Sequence, residues 1–244
     1  RPSEKEQKER VKSGNLEGYP TYITCQSWSA LSPSGEIRTY CLPFVNFDGD
    51  FWKEDKDYAE ALLFMRNINA LPIPKIMQNG MYDSLYGLIY NATPEQFLLD
   101  TMGLAHSEYS ELPKDLSFLA SLHLYDYQYW KDESETSKKA WEQEKYWQYN
   151  AKDAWYTLRT CIEQLRTLPS YAKKNYGDQF KLVYPSLYCA FEGWKIDNKK
   201  REELRSKSFD KLQAALKNLQ TMFADPSFNP GSWQQVEKYI YTVF

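Results

Sequence analysis

The order of apolar and polar positions along the chain predicts strands first and helices afterwards. Two segments that are rich in β-branched and aromatic residues, Tyr19–Trp28 and Glu36–Leu42, predict the strands of a β-hairpin. The turn predicted between them contains proline and glycine. Further short strands are predicted at Phe44–Phe47 and Lys75–Gln78. Between these two, Asp57–Asn69 carries apolar side chains at the spacing of a helix.

The rest of the chain has a mostly helical pattern. Helical segments are predicted to open at Thr93-Pro94-Glu95, where a good N-cap precedes a proline, and at Leu112–Leu116. A long helix is predicted from about Glu135 to Leu168. Strands that are followed by helices, with some interleaving, are typical of an α/β layer fold. The apolar face predicted for the long helix consists of Trp155, Leu158, Ile162, Leu165 and Leu168.

The composition changes at Pro169–Gly177, which we interpret as a linker. Helices are predicted beyond it, a buried one at Lys181–Gly193 and an amphipathic one at Asn198–Phe223. The first residues of the chain alternate in charge and lack apolar side chains. The pattern therefore predicts a flexible segment at 1–18, a main domain at 19–176 and a helical appendage at 177–244.

Composition narrows the functional classes. Of the 244 residues, 42% are hydrophobic and 16% are aromatic, so a folded core is expected rather than general disorder. The four cysteines have no pairing pattern, which favours a reducing compartment over a disulfide framework. No apolar run approaches the roughly 18 residues that a membrane helix needs. We therefore expect a cytoplasmic protein with no membrane partner. The net charge of −3 argues only weakly against nucleic acid, because nucleases need acidic sites.

Two short strings carry candidate chemistry. Gln78–Asp83 places Asn79, Tyr82 and Asp83 directly after a predicted strand, and Tyr149–Asp153 places a tyrosine and an aspartate on one face of a helix. These strings resemble the second and third motifs of the 3′–5′ proofreading exonuclease domain of family A DNA polymerases, which belongs to the DEDDy type of ribonuclease H-like nucleases.

The resemblance extends over nearly the whole chain from Pro20 onward. Its last part is similar to the opening of the polymerase domain and its thumb, and family members from phages carry a string like Tyr129–Asp132. The chain stops before any palm or fingers motif, so we do not expect it to polymerise nucleotides alone. The other matching strings are Leu99–Met102, Leu112–Ala120, Phe191–Asp197 and Phe228–Ser232.

The resemblance implies a fold, a substrate and site residues. The fold is a ribonuclease H-like mixed sheet flanked by helices over 19–176, followed by the start of a polymerase domain over 177–244. Asp83 and Asp153 would bind Mg²⁺ or Mn²⁺, and Tyr149 would orient the attacking water. Asn79 and Tyr82 would contact the substrate. The implied partners are DNA, as a single-stranded 3′ end or a primer-template, and the remaining polymerase domain in cis or in trans, in a phage or bacterial cell.

The chain departs from the family at the first strand, where an Asp-x-Glu is expected. Cys25 and Ser27 stand at these positions, and no shift within Tyr19–Leu31 finds a carboxylate. Two divalent ions about 4 Å apart repel by roughly 4 kcal/mol in water and about 17 kcal/mol at an effective dielectric of 20. Asp83 and Asp153 alone neutralise only half of that charge. We therefore expect hydrolysis to be weak or absent.

Three hypotheses follow from these motifs. The favoured one is an exonuclease-like region that binds DNA, or scaffolds a polymerase, without cutting. The second is an active nuclease that uses one metal ion or an acid from elsewhere, such as Glu36 or Asp48. The third is an interaction module of a split polymerase, whose partner supplies the missing half.

Overall fold

The chain is a mixed α/β protein in which helices predominate. The structure is a computed structural model and describes residues 23–46, 49–133 and 143–243. Contacts between backbone positions divide the chain into two compact units, Arg1–Glu192 and Gly193–Phe244. The predicted flexible segment at residues 1–18 lies outside the described residues. The α/β class is confirmed, while the assignment of the two predicted domains stays a prediction.

The described strands form three two-stranded sheets. The strand bounds are Cys25–Leu31 (β1), Ile37–Pro43 (β2), Val45–Asn46 (β3), Gly49–Asp50 (β4), Lys75–Met77 (β5) and Phe97–Asp100 (β6). Strands β1 and β2 make the predicted antiparallel hairpin, with Ser27 opposite Cys41, and β3 pairs with β4 antiparallel. Strands β5 and β6 pair in parallel. These pairs are consistent with the α/β class, and a ribonuclease H-like arrangement stays a prediction.

The described helices follow and connect these strands. In the first unit they are Asp55–Asn69 (α1), Gly80–Ile89 (α2), Thr101–Glu108 (α3), Leu116–His123 (α4), Gln143–Thr167 (α5), Ser170–Phe180 (α6) and Val183–Glu192 (α7). In the second unit they are Asn198–Met222 (α8) and Trp233–Val243 (α9). Within the described residues, no helix is both long enough and apolar enough to cross a membrane.

Helix α5 is the centre of the first unit and contacts β1, β2, β5, α3 and α4. The predicted apolar face is rotated in the structure, and Leu165 is exposed. The buried side chains include small and polar ones, and Cys161 packs with Leu104 and Leu168. The Gln164 side-chain N–H donates a hydrogen bond to the Thr101 carbonyl at 3.1 Å, which satisfies the nitrogen of this buried amide, whereas its Oε1 has no hydrogen-bond partner among the described residues.

Three further sequence predictions differ from the structure. The helix predicted as buried at Lys181–Gly193 is α7, in which Leu187 is buried but most side chains are exposed. Thr93-Pro94-Glu95 does not open a helix: the chain continues into β6, which pairs with β5, and the preceding Gln96 has a positive φ of 53°. The segment interpreted as a linker lies largely in α6, which packs on α3. Its residue Ala172 is completely buried, so the polar composition reflects a surface helix with one apolar side.

Candidate functional site

The end of the parallel strand pair fixes the helix that carries Asp83. The buried Asp100 ends β6, and its carboxylate accepts hydrogen bonds from the backbone amides of Asn79 at 3.1 Å and Gly80 at 2.7 Å. It also caps α3 by accepting from the amides of Met102 at 2.9 Å and Gly103 at 3.4 Å. One carboxylate thus holds the first turns of α2 and α3 together.

Asp83 lies in the first turn of α2, as the motif predicts. Protein atoms crowd its carboxylate, and the like charges of Asp100 and Asp153 lie close enough to act on it. Desolvation by these protein atoms is the main cause that raises the pKa of Asp83 to about 6, and the charges of Asp100 and Asp153 add to it. The side chain is nevertheless exposed, so water reaches the carboxylate and screens part of the effect. The charge of Asp153 therefore acts on Asp83, as the weakest of these causes.

Tyr149 and Asp153 lie one helical turn apart on α5 and share one cationic partner. The Lys131 ammonium donates to Asp153 Oδ1 at 2.7 Å and to the Tyr149 hydroxyl at 3.0 Å. The side chains of this ion pair keep only 26% and 29% of their surface exposed. The pair is therefore better shielded from water than a surface salt bridge, which contributes little to stability.

Aromatic rings surround this ion pair. The Trp130 indole N–H donates a second hydrogen bond to Asp153 Oδ1 at 2.8 Å, and the ring is buried against Tyr156 in a stacked arrangement with centroids 3.8 Å apart. The Lys131 ammonium lies 5.1 Å from the centroid of Trp130 and 4.9 Å from that of Tyr149. Both distances are within the range of cation–π attraction.

These contacts keep Lys131 charged. Burial alone would lower the pKa of its ammonium, but the hydrogen bonds to Asp153 and Tyr149 outweigh burial and raise the pKa above the usual value of a lysine. We refer to Lys131, Tyr149, Asp153 and Trp130 together as the lysine cluster. At neutral pH it holds one positive and one negative charge in direct contact.

The first strand forms a neutral wall against α5. Ser27 Oγ donates to Asn150 Oδ1 at 2.5 Å, so the strand meets the helix beside Tyr149. Cys25 is buried, and its hydrogen bond with the Cys41 thiol, together with burial, raises the pKa of Cys25 well above its usual range. The same hydrogen bond lowers the pKa of Cys41 to about 7. Cys25 and Ser27 are thus uncharged at the positions to which the resemblance assigns acids.

The two residues predicted to contact substrate are exposed and lie at the start of α2. Asn79 has a left-handed backbone with φ of 55° and precedes the helix, and its backbone amide is bound to Asp100. The Tyr82 hydroxyl donates to the Tyr86 hydroxyl at 3.2 Å, and 59% of Tyr82 is exposed. Both side chains are accessible to a ligand.

The residues present do not fit a pair of divalent metal ions. Within 23–46, 49–133 and 143–243, no group of three or more histidine, cysteine, aspartate or glutamate side chains is arranged to hold a metal ion. Glu36, an alternative acid, is paired with Arg38 at 2.9 Å on the exposed hairpin. Asp48, the other alternative, lies outside the described residues.

An open cavity of about 450 Å³ adjoins the lysine cluster through Trp130. Tyr129 and Trp155 provide aromatic walls, and Lys152 lines it while paired with Glu133 at 2.6 Å. Asp83, Tyr149 and Asp153 do not line this cavity. A ligand in the cavity would therefore lie beside the lysine cluster and not on it.

Sequence reasoning missed Lys131, Trp130 and Asp100 as site residues. The string Tyr129–Asp132 was noticed only as a similarity to phage sequences. Lys131 is 18 residues before Tyr149, so no helical or strand spacing signals their contact. Asp100 follows an apolar strand and precedes a helix, which is a recognisable N-cap signal.

The chain matches no protein-family model, no curated protein and no solved structure. The resemblance to family A polymerases therefore depends on the motif residues and their surroundings alone.

Proposed function

We propose that the chain is a DNA-binding, 3′–5′ exonuclease-like region of the family A DNA polymerase type, with a ribonuclease H-like fold and impaired hydrolysis. It would act in the cytoplasm of a bacterial or phage-infected cell, beside a polymerase portion present in cis or in trans. In family members, the cleft receives a single-stranded 3′ end. Here the cavity beside the lysine cluster would receive the same end, which would not be cleaved.

One observation carries this proposal: the Lys131 ammonium is bound to Asp153 and Tyr149. These are the two α5 residues whose family counterparts bind metal and orient water. An ammonium on Asp153 supplies positive charge but cannot polarise a water as a divalent ion does. The neutral Cys25 and Ser27 on the facing strand support the same conclusion, because hard cations prefer carboxylate oxygens.

The cavity next to the lysine cluster supports DNA binding. Tyr129 lines the cavity and is 58% exposed, and Trp155 lines it as well. An exposed aromatic ring can stack on any base of a single strand. We propose that the terminal nucleotide of a single strand occupies this cavity.

A single experiment separates binding from cutting. The protein is incubated with a 3′-labelled single-stranded oligonucleotide and Mn²⁺, and the products are separated on a denaturing gel while fluorescence anisotropy measures binding. We expect salt-dependent binding and an oligonucleotide of unchanged length. Asp153→Ala serves as the matched control for any contaminating nuclease, whose activity would not change with this substitution.

Shortening that disappears in Asp153→Ala would favour the active-nuclease hypothesis and contradict impaired hydrolysis. No binding at low salt would contradict the DNA-binding proposal itself.

The second unit also has a surface that suits a protein partner. Several apolar side chains of α8 are exposed within this unit, including Leu204 at 53%, Phe209 at 58% and Leu212 at 60%. Exposed apolar side chains on one helix often mark a contact surface. We propose that the remaining polymerase portion covers them, and co-purification with a palm-containing chain tests this. Leu212→Glu should abolish the association.

A further inference from the structure

The lysine cluster has a feature that the exonuclease resemblance does not contain. Asp153 Oδ1 accepts from two donors at once, the Trp130 indole at 2.8 Å and the Lys131 ammonium at 2.7 Å. A carboxylate oxygen has two lone pairs, so this oxygen is fully occupied. A metal ion could bind there only by displacing the ammonium or the buried indole.

The same ammonium also binds one lone pair of the Tyr149 hydroxyl. The hydroxyl accepts from Lys131 at 3.0 Å, so the group that would orient a water instead orients the ammonium. Trp130 is packed in the core with Tyr156, which keeps the indole N–H aimed at Asp153. Two side chains therefore hold Asp153 in place: the buried Trp130 ring, and Lys131, whose ammonium also binds Tyr149.

We infer that Lys131 is a built-in counter-ion: its ammonium replaces the divalent cation as the charge partner of Asp153 and excludes metal from this part of the cleft. The inference concerns the same cleft as the proposed function and rests on it only for the idea that a metal would otherwise bind there. Its consequence is a site whose structure and DNA binding are independent of Mg²⁺ and Mn²⁺.

The loss of affinity for a divalent ion can be calculated from charge alone. An ion on Asp153 would lie about 4 Å from the ammonium, and one positive charge at that distance weakens the binding of a divalent ion by roughly thirtyfold even in bulk water. A divalent ion that binds the other carboxylate oxygen of Asp153 would still lie beside the same ammonium. Removal of this charge is therefore expected to increase the affinity for Mn²⁺ measurably.

The test measures Mn²⁺ binding without DNA, by titration calorimetry or by the loss of the free-ion electron paramagnetic resonance signal. The key variant is Lys131→Met, which keeps the length of the side chain and removes its charge. Lys152→Met is the matched control, because it removes the same charge one residue before Asp153 on the same helix, where Lys152 pairs with Glu133. Circular dichroism verifies folding, and Lys131→Gln replaces the first variant if Lys131→Met does not fold.

We expect Lys131→Met to bind Mn²⁺ at least about tenfold more tightly than the parent. The gain should disappear when Asp153→Asn is added, and Lys152→Met should bind as the parent does. A gain in Lys152→Met equal to that in Lys131→Met, or no gain in either Lys131 variant, would overturn the inference.

A second measurement needs no change at Lys131. The parent and Asp153→Asn should bind Mn²⁺ equally, because the inference holds that Asp153 is not available to metal. A clear loss of Mn²⁺ affinity in Asp153→Asn would overturn the inference. Neither result depends on whether the protein binds DNA, so failure here is distinguishable from failure of the proposed function.

Discussion

Asp100 is the side chain whose removal should disturb the first unit most clearly. In Asp100→Ala, four backbone amides lose their acceptor: those of Asn79, Gly80, Met102 and Gly103. Gly80 is buried, so its amide has no access to water as a substitute partner. The change also frees the start of α2, the helix that carries Asp83.

The expected loss in the free energy of unfolding follows from these contacts. Loss of the N-cap of α3 costs about 1 kcal/mol. An unsatisfied buried amide costs about 1–3 kcal/mol more, and the buried carboxylate no longer has to be desolvated, which offsets part of the loss. Together we expect the free energy of unfolding to fall by about 3 kcal/mol.

Asp115→Ala is the matched control. Asp115 is also an N-cap, and it accepts from the Phe118 amide at 2.9 Å, but it is exposed. Its removal leaves an amide that water can reach, so the expected loss is about 1 kcal/mol.

Urea unfolding followed by tryptophan fluorescence provides the measurement. With a slope of about 2–3 kcal/mol per molar urea, the midpoint should fall by roughly 1 M in Asp100→Ala and by less than about 0.5 M in Asp115→Ala. Equal shifts for the two variants would refute the argument that one buried carboxylate joins the two helix starts.

Three further predictions concern the cleft and its supports. Gly80→Ala would place a Cβ 2.5 Å from a carbon atom of Phe97 in β6 and 2.6 Å from one of Met77 in β5, and it should cost about 2 kcal/mol. Gly177→Ala, in an open helical position, should instead stabilise by about 0.5–1 kcal/mol, and urea unfolding measures both changes. The raised pKa of Asp83 means that the folded state favours its protonated form, so this group's contribution to stability is present below the unfolded pKa near 4 and is lost as the pH rises through about 6. Asp83→Asn should therefore become more stable relative to the parent between pH 4 and pH 7, and a constant difference would contradict this sign. Tyr129→Ala should weaken single-stranded DNA binding by roughly 5- to 150-fold in anisotropy titrations, while Tyr125→Ala, exposed on the same loop and outside the cavity, should leave it within about twofold; equal losses would exclude the cavity.

The local pattern predicted much of the secondary structure because hairpins, caps and helices are determined by nearby residues. The β1–β2 hairpin and the start of α4 at Asp115 are examples. The pattern failed where tertiary contacts decide. The buried face of α5 includes the polar Gln164, whose amide finds its partner only in the folded chain. Thr93 carries the local signals of a helix start, yet the segment that follows pairs as a strand.

The residues of the candidate site were likewise only partly predictable from the sequence. The structure brings Asp153 and Tyr149 together on one ammonium, and Asp83 is near enough to sense the charge of Asp153. Lys131 could not be predicted as their partner, because tertiary contacts bring its loop against α5, among them the packing of the neighbouring Trp130 on Tyr156. The sequence shows that Cys25 and Ser27 stand where the resemblance expects two acids, whereas the contact of Lys131 with Asp153 and Tyr149 is apparent only in three dimensions.

The most direct measurement of the central claim is a crystal structure of the protein soaked in MnCl₂, with anomalous scattering used to locate the metal. The account predicts Lys131 Nζ within hydrogen-bond distance of Asp153 and Tyr149, with no anomalous peak on Asp153. A manganese ion bound between Asp83 and Asp153, with Lys131 turned away from both α5 side chains, would contradict it.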